Sequence, residues 1–344
     1  MHNLDEALSR SQDFLRKKPI LLIGTGLSVS MGLPGMDELT EYLRAELPKR
    51  CKTKQMVDEW TNCMTRIDKC GLEDGLGKED VNEELLANIV EVTAELIEIR
   101  DSEFREKLFT DSKTGFPIAN LIKHIIDSLP VDNPTLDIEY ACDYAGIHCC
   151  TGFSGAYVQQ FSQDSLTTHL HTLARVPTTR GKLKNEYRRR KQVRLLKPHG
   201  SLKWQQLEDK IYQCMEPLAA ATRVIITPGL TKYRASLTDP VMNCHREIAN
   251  SSLRDSNAVL VIGYGFNDSH LQTVLKERLS QGMECLILTK KLSGAAKDII
   301  KDYANVIVFE ESMTGETSWF THSLTGYLPD KLWDLTRFVK LVIG

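Results

Sequence analysis

Pro19-Ile-Leu-Leu-Ile-Gly24-Thr-Gly26-Leu-Ser28 is an unbroken apolar run that ends in two closely spaced glycines. Strands covered by helices on both faces read as continuous hydrophobic runs, whereas half-exposed strands alternate. Ala258-Val-Leu-Val-Ile-Gly263-Tyr264-Gly265 repeats the pattern late in the chain. Between and after these two stretches, strands are predicted near Val193–Lys197, Arg223–Thr227, Cys285–Thr289 and Val306–Phe309. Helices are predicted near Met36–Leu47, Pro117–Leu129, Leu136–Ala145, Asp239–Ser252, Asp268–Arg278, Ala295–Tyr303 and Lys331–Ile343. Strand and helix in alternation imply an α/β fold, a Rossmann-like doubly wound parallel sheet with ligands at the carboxyl ends of its strands.

The 344 residues are enough for one such domain, 1–344, carrying an insertion. From about 48 to 116 the chain is charged and poor in strand formers. Leu85, Leu86, Ile89, Val90, Leu96 and Ile97 recur there at helical spacing, which predicts an inserted helical module standing on the sheet. A variable segment follows at about 152–194. Its last part, Arg180–Arg194, holds eight basic residues and one acidic one, and is read as a mobile or edge element open to nucleic acid contact. The whole chain is at −3, so it is not a globally basic nucleic-acid binder. No apolar run reaches the ~18–20 residues of a membrane span. The first residues lack the pattern of a signal peptide, so a cytoplasmic chain is expected. The nine cysteines include no Cys-x-x-Cys pair, so no zinc site or other metal site is expected.

Four segments carry chemistry. Gly24-Thr25-Gly26-Leu27-Ser28 can bring backbone amides close to a diphosphate, or serve only as a tight turn. It departs from the dehydrogenase fingerprint, since Val29 stands where the third glycine belongs. Gly263-Tyr264-Gly265-Phe266-Asn267-Asp268 is a second strand-end turn able to line the same crevice, and Asn267-Asp268 can equally cap the next helix. Leu195-Leu-Lys-Pro-His199-Gly-Ser-Leu-Lys-Trp204 places a histidine just past a buried strand. Asp132-Asn133-Pro134-Thr135-Leu136-Asp137 offers an asparagine whose type also suits turns.

In this order, with Met31-Gly32-Leu33-Pro34, Glu139-Tyr-Ala-Cys-Asp143 and Ile226-Thr-Pro-Gly229 between them, these segments resemble the sirtuin-like NADases of bacterial anti-phage defence. The likeness frames residues from about 19 to 310. It implies NAD+ as substrate, with Gly24, Thr25, Gly26 and Ser28 at the diphosphate and ribose, and Pro34, Asp137 and Tyr264 nearby. Gly263, Gly265, Asn267 and Asp268 take the adenosine half. Asn133 and His199 take the catalytic positions. The implied reaction is hydrolysis of NAD+ to nicotinamide and ADP-ribose. Implied partners are further copies of the chain in a homo-oligomer and a HerA-type ATPase. Zinc-containing deacylases are a poorer match, because the paired cysteines are missing and Gly35-Met-Asp-Glu-Leu follows the first turn. The alternative that these residues admit is a catalytically quiet sensor of NAD or ADP-ribose, or a regulatory subunit of a nucleic-acid-processing complex.

Overall fold

The computed structural model describes residues 3–77, 81–110, 116–127, 139–168, 170–177, 181–214, 216–225, 239–266 and 269–344. Helix α1 (Leu4–Arg16) starts at Asn3, whose side chain accepts the Glu6 amide, and leads into β1 (Ile20–Ile23). The Gly24 turn opens α2 (Thr25–Ser30), and Gly35 begins α3 (Met36–Glu46). Three helices follow: α4 (Lys54–Cys70), α5 (Leu72–Gly77) and α6 (Glu83–Thr110). Their buried side chains close on Leu39, Leu43 and Leu47, and no described strand contributes to that core. The module therefore stands on α3 rather than on the sheet. The reason is legible in the sequence, where Leu39 and Leu43 of α3 and Leu47 just past its end recur at i, i+4 and i+8 and give it an apolar stripe of its own. Phe104 on α6 ties the module to the main body through an edge contact with Phe116 at 5.6 Å.

After α7 (Pro117–Asp127) and α8 (Glu139–Ala145) the chain turns to strands. These are β2 (His148–Cys150), β3 (Phe153–Ser154) and β4 (Gln159–Phe161), then, past α9 (Gln163–Thr167), β5 (His171–Pro177) and β6 (Leu183–Arg189). Next come β7 (Gln192–Arg194), β8 (Gly200–Leu207), β9 (Lys210–Gln213) and β10 (Thr222–Ile225). The order β10-β8-β9-β4-β3 forms an antiparallel sheet, β2 pairs with β7 in parallel, and β5 with β6 makes a separate hairpin. The strand predicted at Val193–Lys197 is shorter: it stops at Arg194, and Leu195–His199 is an irregular link into β8. The β8–β9 hairpin turns on Glu208, which sits at φ +55° with no glycine to announce it.

The closing part alternates as predicted: α10 (Pro240–Asp255), β11 (Ala258–Ile262), α11 (Ser269–Ser280), β12 (Glu284–Thr289), α12 (Gly294–Asp302) and β13 (Val306–Glu311). Then β14 (Thr317–Phe320), β15 (Thr325–Leu328) and α13 (Leu335–Val342) end the chain. The central sheet runs β1-β11-β12-β13-β14-β15, parallel through β13 and antiparallel at its far edge. Side chains alternate between two cores. Ala258, Leu260, Ile262, Leu286 and Leu288 pack with α1, α7 and α13, while Val259, Val261, Cys285 and Ile287 pack with α10, α11 and α12. A mainly parallel sheet with a hydrophobic core on each face is the Rossmann-like arrangement expected from the unbroken apolar runs. The apolar stripe of the C-terminal helix, Leu335, Phe338, Val339 and Val342, is spent in the first of these cores.

Candidate functional site

The register of the sheet builds the site. Pairing of Ile23 with Ile262 places Gly24 beside Gly263, at the carboxyl ends of two adjacent parallel strands. The Gly24 amide donates to the Ile262 carbonyl at 2.9 Å, and the Gly26 amide donates to the Gly263 carbonyl at 2.9 Å. A Cβ on Gly24 would sit 2.5 Å from the Gly263 oxygen, and one on Gly263 only 2.5 Å from the Leu27 nitrogen. Gly263 also lies at φ +58°, where side chains are disfavoured. These glycines are thus required first by the meeting of the two turns. Their spacing suggests amides directed at an anion, but the amide of Gly26 is already bonded within the protein. What remains for a ligand is the rim. Thr25 and Gly26 are exposed at the start of α2, Ser28 is half-buried, and no side chain caps that helix at Gly24.

A cavity of about 160 Å3 opens beside this rim, between β1 and the Leu196–Gly200 link. Ile20 to Ile23, Tyr264 and Leu271 form one side, and Lys197, Pro198 and His199 the other. It is smaller than the ~300 Å3 of most small-molecule sites and too small for a whole dinucleotide. His199 is half-buried on a turn closed by the Gly200 amide, which donates to the Lys197 carbonyl at 3.1 Å. Behind the turn stands His245 of α10, fully buried, whose Nδ1 accepts the Lys197 amide at 3.1 Å. Burial, with Lys197 adding to it, pushes the His245 pKa down to about 3, so the ring is neutral. It rests on Trp204, with ring centroids 4.8 Å apart.

The Lys197 side chain turns the other way, with Nζ 2.9 Å from the Glu139 carboxylate and 3.4 Å from Ser201 Oγ. Burial alone would raise the Glu139 pKa, but Lys197 and Lys203 outweigh it and hold the carboxyl below its usual range. Next to it the Tyr140 hydroxyl donates to Asp101 at 3.0 Å, and Lys203 Nζ lies 4.7 Å above the Tyr140 ring. Burial, helped by Asp101, raises the Tyr140 pKa. This polar array joins α6, α8 and β8 against the wall of the cavity.

Residues 160–304 match a SIR2-like domain. No curated protein matches the chain. The SIR2-like stretch runs from within β4 past the end of α12, so it holds His199, Gly263, Tyr264 and Gly265 but not the Gly24 turn. The sheet register attaches β1 and that turn to it. The match supports a sirtuin-like chain, and with it NAD-dependent enzyme chemistry in general.

Within and beside the SIR2-like stretch, the structure joins the turn from Gly24 to Ser28 to that of Gly263 and Tyr264, and Tyr264 and His199 line the same cavity. Gly265 is exposed beyond Tyr264, and its carbonyl accepts the Ser293 hydroxyl at 2.7 Å. Pro34 is half-buried in the link to α3. Asn133, Asp137, Asn267 and Asp268 lie outside the described residues. Sequence reasoning singled out neither His245 nor the mutual contacts of Glu139, Tyr140 and Lys203. Glu139 and Lys197 are 58 positions apart, and only the tertiary fold makes them an ion pair. Among the described residues no group of three or more His, Cys, Asp or Glu could hold a metal ion, and no helix is long and apolar enough to cross a membrane.

Proposed function

We propose that this chain is an NAD+ glycohydrolase, which cleaves NAD+ to nicotinamide and ADP-ribose. The observation that supports the reading is the joined pair of glycine turns at the ends of β1 and β11, beside a cavity that Tyr264 and His199 both line. In this reading the diphosphate lies at the exposed start of α2, near Thr25, Gly26 and Ser28, where the Thr25 and Ser28 hydroxyls can donate to an anion. The adenosine half follows the Gly263–Gly265 turn toward Asn267 and Asp268, and the nicotinamide ribose reaches the cavity.

The C1′–N bond breaks with its electron pair leaving on nicotinamide, and the ribose becomes cation-like. Water attacks C1′ and loses a proton to the His199 imidazole, while Asn133 orients the water or a ribose hydroxyl. His245 holds the His199 turn in place through the Lys197 amide, and Pro34 and Asp137 meet the ligand at its periphery. By the same resemblance, the activity would deplete cellular NAD+ in anti-phage defence, in a homo-oligomer acting with a HerA-type ATPase in the cytoplasm.

The test is product analysis of purified protein with NAD+, resolving nicotinamide, ADP-ribose and cyclic ADP-ribose. Wild type should release nicotinamide and ADP-ribose. Asn133→Ala and His199→Ala should each lower turnover by about 10²–10⁴-fold, the usual contribution of general acid–base groups. A reduction below about tenfold in both variants overturns the assignment of these residues. NAD+ that raises the melting temperature without ever being cleaved overturns hydrolysis and leaves a sensor.

A further inference from the structure

The β5–β6 hairpin is exposed along most of its described length, and nothing in the proposed hydrolysis uses it. Its strands pair over seven positions, from His171 with Arg189 to Pro177 with Leu183. At ~3.3 Å per residue the ribbon is about 23 Å long. Isolated two-stranded ribbons are marginal in water, but the stem of this one is clamped. The buried Gln192 accepts the Leu170 amide through Oε1 at 3.1 Å and donates through Nε2 to the Thr168 carbonyl at 3.3 Å. The Arg190 amide also donates to the Leu170 carbonyl at 2.7 Å. The ribbon is therefore held out in a defined direction with both faces open.

Cross-strand partners share a face, which sorts the side chains. One face carries His171, Leu173, Arg175, Asn185 and Tyr187, with no carboxylate, and Tyr187 is 76% exposed. The other carries Lys184 and Arg188 around the single acidic residue, Glu186, and Arg190 and Lys191 extend the charge to the stem. This concentration of cations belongs to a chain whose net charge is −3, so the residues outside it carry a net negative charge. A polyanion is therefore drawn to the ribbon by its local charge and not by the net charge of the chain.

We propose that the β5–β6 ribbon is a docking element for duplex DNA. The major groove of B-form DNA, about 12 Å wide, admits a two-stranded ribbon. The face with Arg175, Asn185 and Tyr187 is the one that suits base edges, and Lys184, Arg188 and Arg190 reach phosphates. The major groove of A-form RNA is too narrow and deep for side chains to read, so DNA is preferred. The proposal is independent of NAD+ hydrolysis.

The experiment is fluorescence anisotropy of a fluorescein-labelled 20-base-pair DNA duplex of random sequence, titrated with the full chain at 50 to 300 mM KCl. Wild type should bind with a Kd of roughly 10⁻⁴–10⁻⁶ M near physiological salt, the range of sequence-independent binding. A plot of log affinity against log salt should be linear. The variant K184A/R188A/R190A should bind at least tenfold more weakly, with a slope smaller by about 0.9 for each phosphate that it no longer neutralises. Tyr187→Ala should weaken binding and leave the slope unchanged. Circular dichroism of each variant should match wild type, since the changed side chains are exposed. Four results overturn the proposal: no binding by wild type at 50 mM KCl, an unchanged slope in the triple variant, equal affinity for a 20-base-pair RNA duplex, or a light-scattering mass that falls in the triple variant while DNA binding persists. The last would make the ribbon a contact between copies of the chain.

Discussion

The Gly26 amide donates to the Gly263 carbonyl at 2.9 Å, so two turns 237 residues apart in the chain share a backbone hydrogen bond. A Cβ on Gly26 would lie 2.8 Å from the Gly263 Cα, and one on Gly263 2.7 Å from the Gly26 Cα. Neither residue can gain a side chain without separating the ends of β1 and β11.

Gly263→Ala is therefore expected to cost more than the ~1–2 kcal/mol of a left-handed backbone alone. Gly32 is the internal control, at φ +90° with nothing within 4 Å of an added Cβ. Urea denaturation should show Gly263→Ala destabilised by roughly 3 kcal/mol or more, in the range of special-backbone mutants. Gly32→Ala should stay within about 2 kcal/mol. Equal costs for the two would mean that the turns do not meet tightly.

Stability should fall with acid through His245. Its folded pKa of about 3 lies below the ~6.5 of an unfolded histidine, so between these values the unfolded chain holds the extra proton. Unfolding is thus favoured as pH drops from about 6.5 toward 3, at about 1.4 kcal/mol per pH unit. His245→Gln keeps an acceptor for the Lys197 amide and does not titrate. Its stability between pH 6.5 and 4.5 should decline less steeply than that of wild type, by about that slope. Parallel curves would show that His245 is not held neutral.

Lys197→Met leaves the half-buried Glu139 with its nearest cation gone. Removing one partner of a fully buried pair costs ~3–5 kcal/mol, and less is expected here because both side chains stay partly exposed and Lys203 still faces the carboxylate. In wild type the Glu139 pKa is depressed, so its contribution is present above the unfolded value and lost as pH falls through the folded one. In the variant, burial is less opposed and the carboxyl takes up a proton sooner. The stability gap between variant and wild type, from urea denaturation at pH 7 and pH 5, should shrink at pH 5. A gap that widens with acid would contradict the pairing.

Gln192→Ala removes the clamp at the ribbon stem and leaves the Leu170 amide and Thr168 carbonyl without it. Two hydrogen bonds are lost at groups that stay partly exposed, at ~0.5–1.5 kcal/mol each. Hydrogen exchange across 171–189 should quicken about tenfold or more, since ~1.4 kcal/mol is a factor of ten in opening. The β11 and β12 amides should keep their protection. Unchanged exchange in the ribbon would show that its order comes from elsewhere.

What can be read from residues differs by element. The strands of the parallel sheet are legible because burial on both faces demands an unbroken apolar run, and Ala258–Ile262 has one. The segment from 152 to 194 is not legible. Its ribbon is exposed on both faces, so β5 and β6 lack the alternation that marks a half-buried strand. The β8–β9 hairpin turns on Glu208 at positive φ, with neither glycine nor asparagine to signal it. For the site, Gly24, Gly26, Gly263 and His199 stand out by their position after strands, but His245 lies mid-helix and carries no local mark.

Local residue patterns are enough to make β1 and β11 buried strands ending in glycine turns, because backbone conformation and burial are set by neighbouring residues. They also set the helical character of 54–110, through the spacing of its leucines and isoleucines. It takes the folded chain to bring the two turns into contact, to rest the helical module on α3, and to divide the groups of Lys197 between His245 and Glu139. Those relations depend on strand register and helix docking. Both are fixed by the collective packing of residues distant in the chain, on which no local pattern reports.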